Sequence, residues 1–116
     1  MLIYTGPFVY AHTNLTEIDQ TMDLMWRNNI NPSKITLGLG FYGRSFTLSD
    51  PNCKGPGCGF SAGGDPGACT ASAGTLSFSE IEDIIANNNP TVTLDSKAAV
   101  KIVTWNGNRK SSFHFL

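Results

Sequence analysis

Tyr42 and Arg44 place a phenol and a guanidinium two positions apart, the spacing that puts strand side chains on one face. The pair offers an aromatic surface and a fork of N–H donors. Taken by type alone, they are an ordinary aromatic and a strand-end charge. Cys53, Cys58 and Cys69 crowd into one Gly/Pro-rich stretch, which suits a stapled loop in an oxidising compartment. Their number is odd, any one pair could close, and the pairing is not deducible from the sequence. With His12 they would offer metal ligands, but their spacing fits no common zinc pattern, and no metal is expected. Gly38-x-Gly40-x-x-Gly43 has the spacing of a dinucleotide fingerprint. That motif must open a helix, whereas Ser45 to Leu48 stay β-like before Asp50-Pro51, so no nucleotide and no other cofactor is expected. Asn14-Leu15-Thr16 is a candidate N-glycosylation sequon. Trp26 and Trp105 could stack on a pyranose, but core packing is the reading taken for both. His12 and His114 lack visible partners and are given no role.

The elements that must position these groups can be read from periodicity. Ile18, Met22, Met25 and Trp26 fall at i, i+4, i+7 and i+8, so the stretch from Asn14 to Asn29 is expected to be an amphipathic helix. Asn14 with Glu17 caps its start and Pro32 blocks its continuation, while Trp26 shares the stripe expected to be buried. Lys34 to Phe46 reads as a strand with unlike faces. Ile35, Leu37, Leu39 and Phe41 form an apolar side, and Thr36, Gly38, Gly40, Tyr42 and Arg44 the other. Asp50 to Gly74 reads as a long loop ordered by its cysteines. Ser77 and Glu80 form a capping box for a short helix ending near Asn87. Thr91 to Asp95 and Ala99 to Trp105 read as antiparallel strands, and Asn106-Gly107 as a hairpin turn after them.

Composition sets the outer bounds. The 116 residues suffice for one domain or less, and 41% hydrophobic with 15% charged residues is a globular balance. A formal net charge of −1 with scattered bases gives no footprint for nucleic acid or anionic lipid, so neither partner is expected. No apolar run reaches membrane-spanning length, and MLIYTGPFVYAH has no basic region and does not read as a signal peptide.

HTNLTEIDQTMDLMWRNNINPSKITLGLGFYGRSF, the cysteine loop, GTLSFSEI and TLDSKAAVKIVTW lie in register with family 18 glycoside hydrolases. The chain resembles that family, and especially its fungal chitinases, from about Gly6 to about Asn108. The resemblance implies an α/β plus α+β fold. Residues 1–46 would be part of a (β/α)8 TIM barrel, helix six and strand seven, with strand seven parallel to its neighbours. Residues 47–116 would be a chitinase insertion domain-like region with a divergent C-terminal end. It also implies a parent that hydrolyses β-1,4-linked N-acetylglucosamine in chitin. There a Glu in a DxxDxDxE motif protonates the glycosidic oxygen and the substrate's acetamido oxygen attacks the anomeric carbon.

This chain contains no DxxDxDxE motif, so no catalytic residue is assigned. Asp19 and Asp23 lie on a helix, and Glu80, Glu82 and Asp83 in a helix's first turns. Only Tyr42 and Arg44 carry over, as substrate-binding residues toward chitin or chito-oligosaccharide. The family's NQWVxYDD is replaced by Asn108-Arg109-Lys110-Ser111-Ser112-Phe113-His114-Phe115-Leu116, which looks like a shifted frame or a retained intron and leaves the last insertion-domain strand without its usual sequence. The expectation is a fragment of a secreted chitinase, inactive alone, with exposed strand edges that favour aggregation. The alternatives are a non-catalytic chitin-binding or lectin-like protein and a structural module in which the α+β part folds alone.

Overall fold

The computed structural model of the chain describes residues 6–11, 13–106 and 110–115. His12 and Gly107, both singled out above, lie outside the described residues. Asn14 in extended conformation caps α1 (Leu15–Arg27), its side-chain oxygen accepting from the Thr16 N–H at 2.9 Å. Glu17 in the first turn and Arg27 in the last complement the helix dipole. The helix is held at its start, where the Leu15 N–H donates to the Ala98 carbonyl at 3.0 Å and the Thr16 hydroxyl to the Lys97 carbonyl at 3.2 Å. None of its residues is buried. Ile18, Met22 and Met25 are half-buried, and Trp26, expected in a core, is 41% exposed. The half-buried residues follow the expected stripe, but among the described residues no element lies across it to remove it from water.

A 3-10 turn (Pro32–Lys34) follows, capped by Asn31. Here the structure departs from the expected strand over Lys34 to Phe46. Residues 35–41 belong to no strand, and Leu37, Leu39 and Phe41 are 56%, 56% and 76% exposed. A parallel strand draws its backbone bonds from strands on either side. Alternation alone does not create them, and the segment has no such neighbours among the described residues.

Pairing begins at β1 (Tyr42–Leu48), the strand around which the sheet is organised. On one edge its first half pairs with β3 (Thr75–Ser77) and its second half with β2 (Phe60–Gly63), both antiparallel. The two partners meet at Ser45. There the Ser45 N–H donates to the Gly74 carbonyl at 3.0 Å, the Gly64 N–H to the Ser45 carbonyl at 2.9 Å, and the Gly74 N–H to the Gly64 carbonyl at 2.9 Å. Gly74 takes φ +82°, and a Cβ on Gly64 would collide with the Ser45 side chain. β2 is thus a strand inside a stretch that reads as loop. On the other edge β1 pairs with β6 (Lys110–Phe115), which pairs with β5 (Val100–Trp105), which pairs with β4 (Thr91–Asp95). The segment whose sequence departs from the family pattern therefore forms a central strand. Among the described residues every strand pairing is antiparallel, and β1 runs across the 46/47 division expected from the resemblance.

Alternation along β5 supplies both faces of the sheet. Val100 and Ile102 join Val9, Leu48, Cys58 and Ala98 in one core. Val103 and Trp105 join Leu76 and Ile81 in the other, against α2 (Phe78–Asn88). The first core is closed by the N-terminal segment, whose Val9 N–H donates to the Cys58 carbonyl and whose carbonyl accepts from Gly57, both at 2.8 Å. The disulfide left open by the sequence joins Cys53 to Cys58. Cys58 is buried in this core, whereas Cys69 is free and exposed. Trp105 is buried, in keeping with its reading as a core residue.

Candidate functional site

The predicted capping box fixes α2. The Ser77 hydroxyl accepts from the Glu80 N–H at 3.3 Å and the Glu80 carboxylate accepts from the Ser77 N–H at 2.8 Å. The carboxylate also accepts from the Cys69 and Thr70 N–H groups at 2.7 and 2.9 Å and from the Thr70 hydroxyl at 3.0 Å. Donors converging on the anion hold its pKa at about 2, below an ordinary 4.5. The Ser77 N–H contributes most, then those of Thr70 and Cys69, against an opposing effect of burial. A Cβ on Gly67 would collide with this carboxylate. Glu80 is thus a clamp between α2 and the loop before β3. A proton donor at neutral pH needs a raised pKa, and this site lowers it.

An open cavity of about 300 Å³ lies beside the clamp, lined by Asp65, Gly67, Asp83, Ile84, Trp105 and Asn106 among others. Among the described residues no group of three or more His, Cys, Asp or Glu side chains is placed to hold a metal ion. Cys53 and Cys58, two of the possible ligands, are consumed by their disulfide.

Tyr42 and Arg44 stand on the face of β1 that carries Phe46 toward the first core, but at its open end, where both are exposed. The Arg44 Cζ lies 5.9 Å from the Tyr42 ring centroid, within reach of a cation–π contact. Antiparallel register sets Ser77 opposite Tyr42 and Thr75 opposite Arg44. Directly opposed residues share a face, so β3 adds two hydroxyls to the pair. Arg44 Nη1 donates to Thr75 Oγ1 at 3.2 Å. Ser77 Oγ lies 3.1 Å from Ser79 Oγ. Gly40 lies under the phenol, and a Cβ there would come within 2.6 Å of the Tyr42 ring. On the preceding residue, Phe41 meets Phe78 edge to face at 6.4 Å, and the Phe78 N–H donates to the Phe41 carbonyl at 3.0 Å.

The sequence therefore found two members of this face and missed Thr75 and Ser77. The signal for the latter was the short alternation Thr75-Leu76-Ser77, in which the middle residue turns to the core. Which strand it would oppose was not visible. A guanidinium, a phenol and hydroxyls on an open ledge suit a neutral ligand rich in hydroxyl and amide groups. The Gly38-x-Gly40-x-x-Gly43 spacing leads into β1 rather than a helix, so it forms no phosphate-binding turn. No helix among the described residues is long and apolar enough to cross a membrane.

Comparison with known proteins agrees with the resemblance read in the sequence. Residues 4–115 match the model of the glycosyl hydrolases family 18. The "Secreted chitinase LysM12" of Penicillium expansum is 30% identical over 92 residues, 75% of this chain and 6% of that protein. The fold is similar to that of a mutant class V chitinase from Nicotiana tobaccum in complex with NAG4, with TM-score 0.81 and 15% identity, covering 97% of this chain and 33% of that one. It is also similar to the Ostrinia furnacalis Group IV chitinase, with TM-score 0.77 and 25% identity, covering 85% and 26% respectively. The chain thus spans a third or less of each of these relatives. With the family model matched over nearly its whole length, the chain belongs to glycosyl hydrolase family 18.

Proposed function

We propose that the chain is a portion of a chitinase that contributes sugar-binding groups and no proton donor. The observation that carries this reading is the ledge of Tyr42, Arg44, Thr75 and Ser77 on a family 18 sheet. The Arg44 donors and the hydroxyls suit the hydroxyl and acetamide groups of an N-acetylglucosamine chain, and the Tyr42 ring suits the apolar side of a pyranose. On this reading residues 1–46 belong to the parent's barrel and most of residues 47–116 to its insertion domain, with β1 continuing from the one into the other. Hydrolysis in the parent follows the substrate-assisted route, with the acid supplied by a DxxDxDxE motif that this chain does not contain. Glu80 is no substitute, because its carboxylate is already saturated with donors. The Cys53–Cys58 disulfide and the Asn14-Leu15-Thr16 sequon support an extracellular parent.

Retention on chitin beads, with N,N′,N″,N‴-tetraacetylchitotetraose as soluble competitor, tests the reading. Wild type is expected to be retained without releasing soluble sugar, and Tyr42→Ala and Arg44→Ala to elute early. Release of sugar by the purified chain would overturn the absence of a proton donor. Equal retention of wild type and both variants would remove the ledge from the binding site.

A further inference from the structure

We propose that Thr75 is the positioning residue of the sugar-binding ledge, holding the Arg44 guanidinium beside the Tyr42 ring so that its remaining donors face the ligand. This deepens the preceding reading and rests on it for the identity of the ligand. A long, exposed arginine ordinarily samples many rotamers, and ordering it on ligand binding opposes affinity. Here the side chain has two restraints. Its Cζ lies 5.9 Å from the Tyr42 centroid, and its Nη1 donates to Thr75 Oγ1 at 3.2 Å. Thr75 can hold this post because its backbone is itself fixed. It lies opposite Arg44 in the β1–β3 register, and its carbonyl accepts from the Thr70 hydroxyl at 3.2 Å. That hydroxyl has one proton, which it shares between this carbonyl and the Glu80 carboxylate at 3.0 Å, and so it ties the ledge to the start of α2.

The chemistry of the hydroxyl makes the post selective. Thr75 Oγ1 accepts from Arg44, and its own proton stays available as a donor. A planar guanidinium with one N–H engaged keeps four others in a fixed fork. Together they present donors from both strands toward an acceptor such as an acetamide oxygen. A valine has nearly the same shape and β-branching but neither accepts nor donates, whereas a serine keeps the hydroxyl.

The test uses the whole chain with Thr75→Val, Thr75→Ser, Arg44→Ala and the double variant Arg44→Ala/Thr75→Val. Titration with tetraacetylchitotetraose is expected to show about tenfold weaker binding for Thr75→Val, the size of a hydrogen bond to a charged group. Thr75→Ser should stay within about twofold of wild type, and Thr75→Val should add little once Arg44 is alanine. Equal losses in Thr75→Val and Thr75→Ser, or an undiminished loss in the Arg44→Ala background, would overturn the proposal. A ligand-free measurement separates its failure from that of the sugar reading. The guanidinium 15N signals of Arg44 should show slowed rotation in wild type and Thr75→Ser and averaging in Thr75→Val. If wild type binds no sugar, the binding role falls with the sugar reading while these signals still decide the positioning. Identical signals in all three would overturn the positioning itself.

Discussion

Two regions of the chain, around α1 and around α2, carry local signals of similar quality and come to different structural ends. α1 and α2 each have a capped start and an apolar stripe. α2 lays Ile81, Ile84 and Ile85 on a core with Leu76, Val103 and Trp105, whereas α1 buries no residue. The same contrast separates β1 from residues 35–41 just before it. Both alternate, yet among the described residues β1 is paired along both edges and the preceding segment along neither. Capping and periodicity are properties of one segment, while burial and sheet bonds need a second. A helix can form on the first alone. An extended segment cannot become a strand without the second.

The sharpest way to break this contrast is a pair of truncations, one on each helix. Ile81→Ala removes a side chain that is 2% exposed and should cost about 2–5 kcal/mol in denaturant unfolding. A cost below about 1 kcal/mol would mean that α2 is no better anchored than α1. Acid titration sharpens the role of the loop clamp. Glu80 is lowered to about 2 from 4.5, so the unfolded chain takes up its proton first as pH falls. Its stabilisation is full above about 4.5, declines as pH drops, and is gone below about 2. The difference in melting temperature between wild type and Glu80→Gln should therefore be largest near neutrality and shrink across that window, and a pH-independent difference would assign the effect to packing. Ser77→Ala removes the cap of α2 and should cost about 1 kcal/mol, read from the same denaturant curves. Smallest of all, Met22→Ala on the half-buried stripe of α1 should stay within about 0.5 kcal/mol. A loss approaching that of Ile81→Ala would show that something covers α1 in solution.

Much of the fold was legible because its signals are local. Asn14 and Ser77 mark helix starts through their own side chains, and the β4–β5 pair could be read from two β-rich runs around a short turn. β2 was not legible, and β6 only as the strand that the Asn106-Gly107 hairpin signal calls for after β5. β2 lies in a Gly/Pro-rich stretch and answers to β1 rather than to its own composition. The second edge of β6 pairs with β1, distant in sequence, and backbone bonds of that kind depend little on side-chain type. At the ledge, the spacing of Tyr42 and Arg44 was visible, but Thr75 joins them through the β1–β3 register, more than 30 residues along the chain. The cysteine pairing had the same character. Cys58 closes with Cys53 in a core that Val9 and Val100 help to build, and Cys69 is held at Glu80 instead.

The sequence alone determined the helix starts, the turn chemistry, the common face of Tyr42 and Arg44, and the resemblance to family 18. Those follow from interactions that span a few residues. Only the tertiary structure decided which apolar stripe was covered, which alternating segment became a strand, which cysteines joined and which hydroxyl met Arg44. Each of these depends on a partner far along the chain, and its free energy exists only once the two segments are brought together.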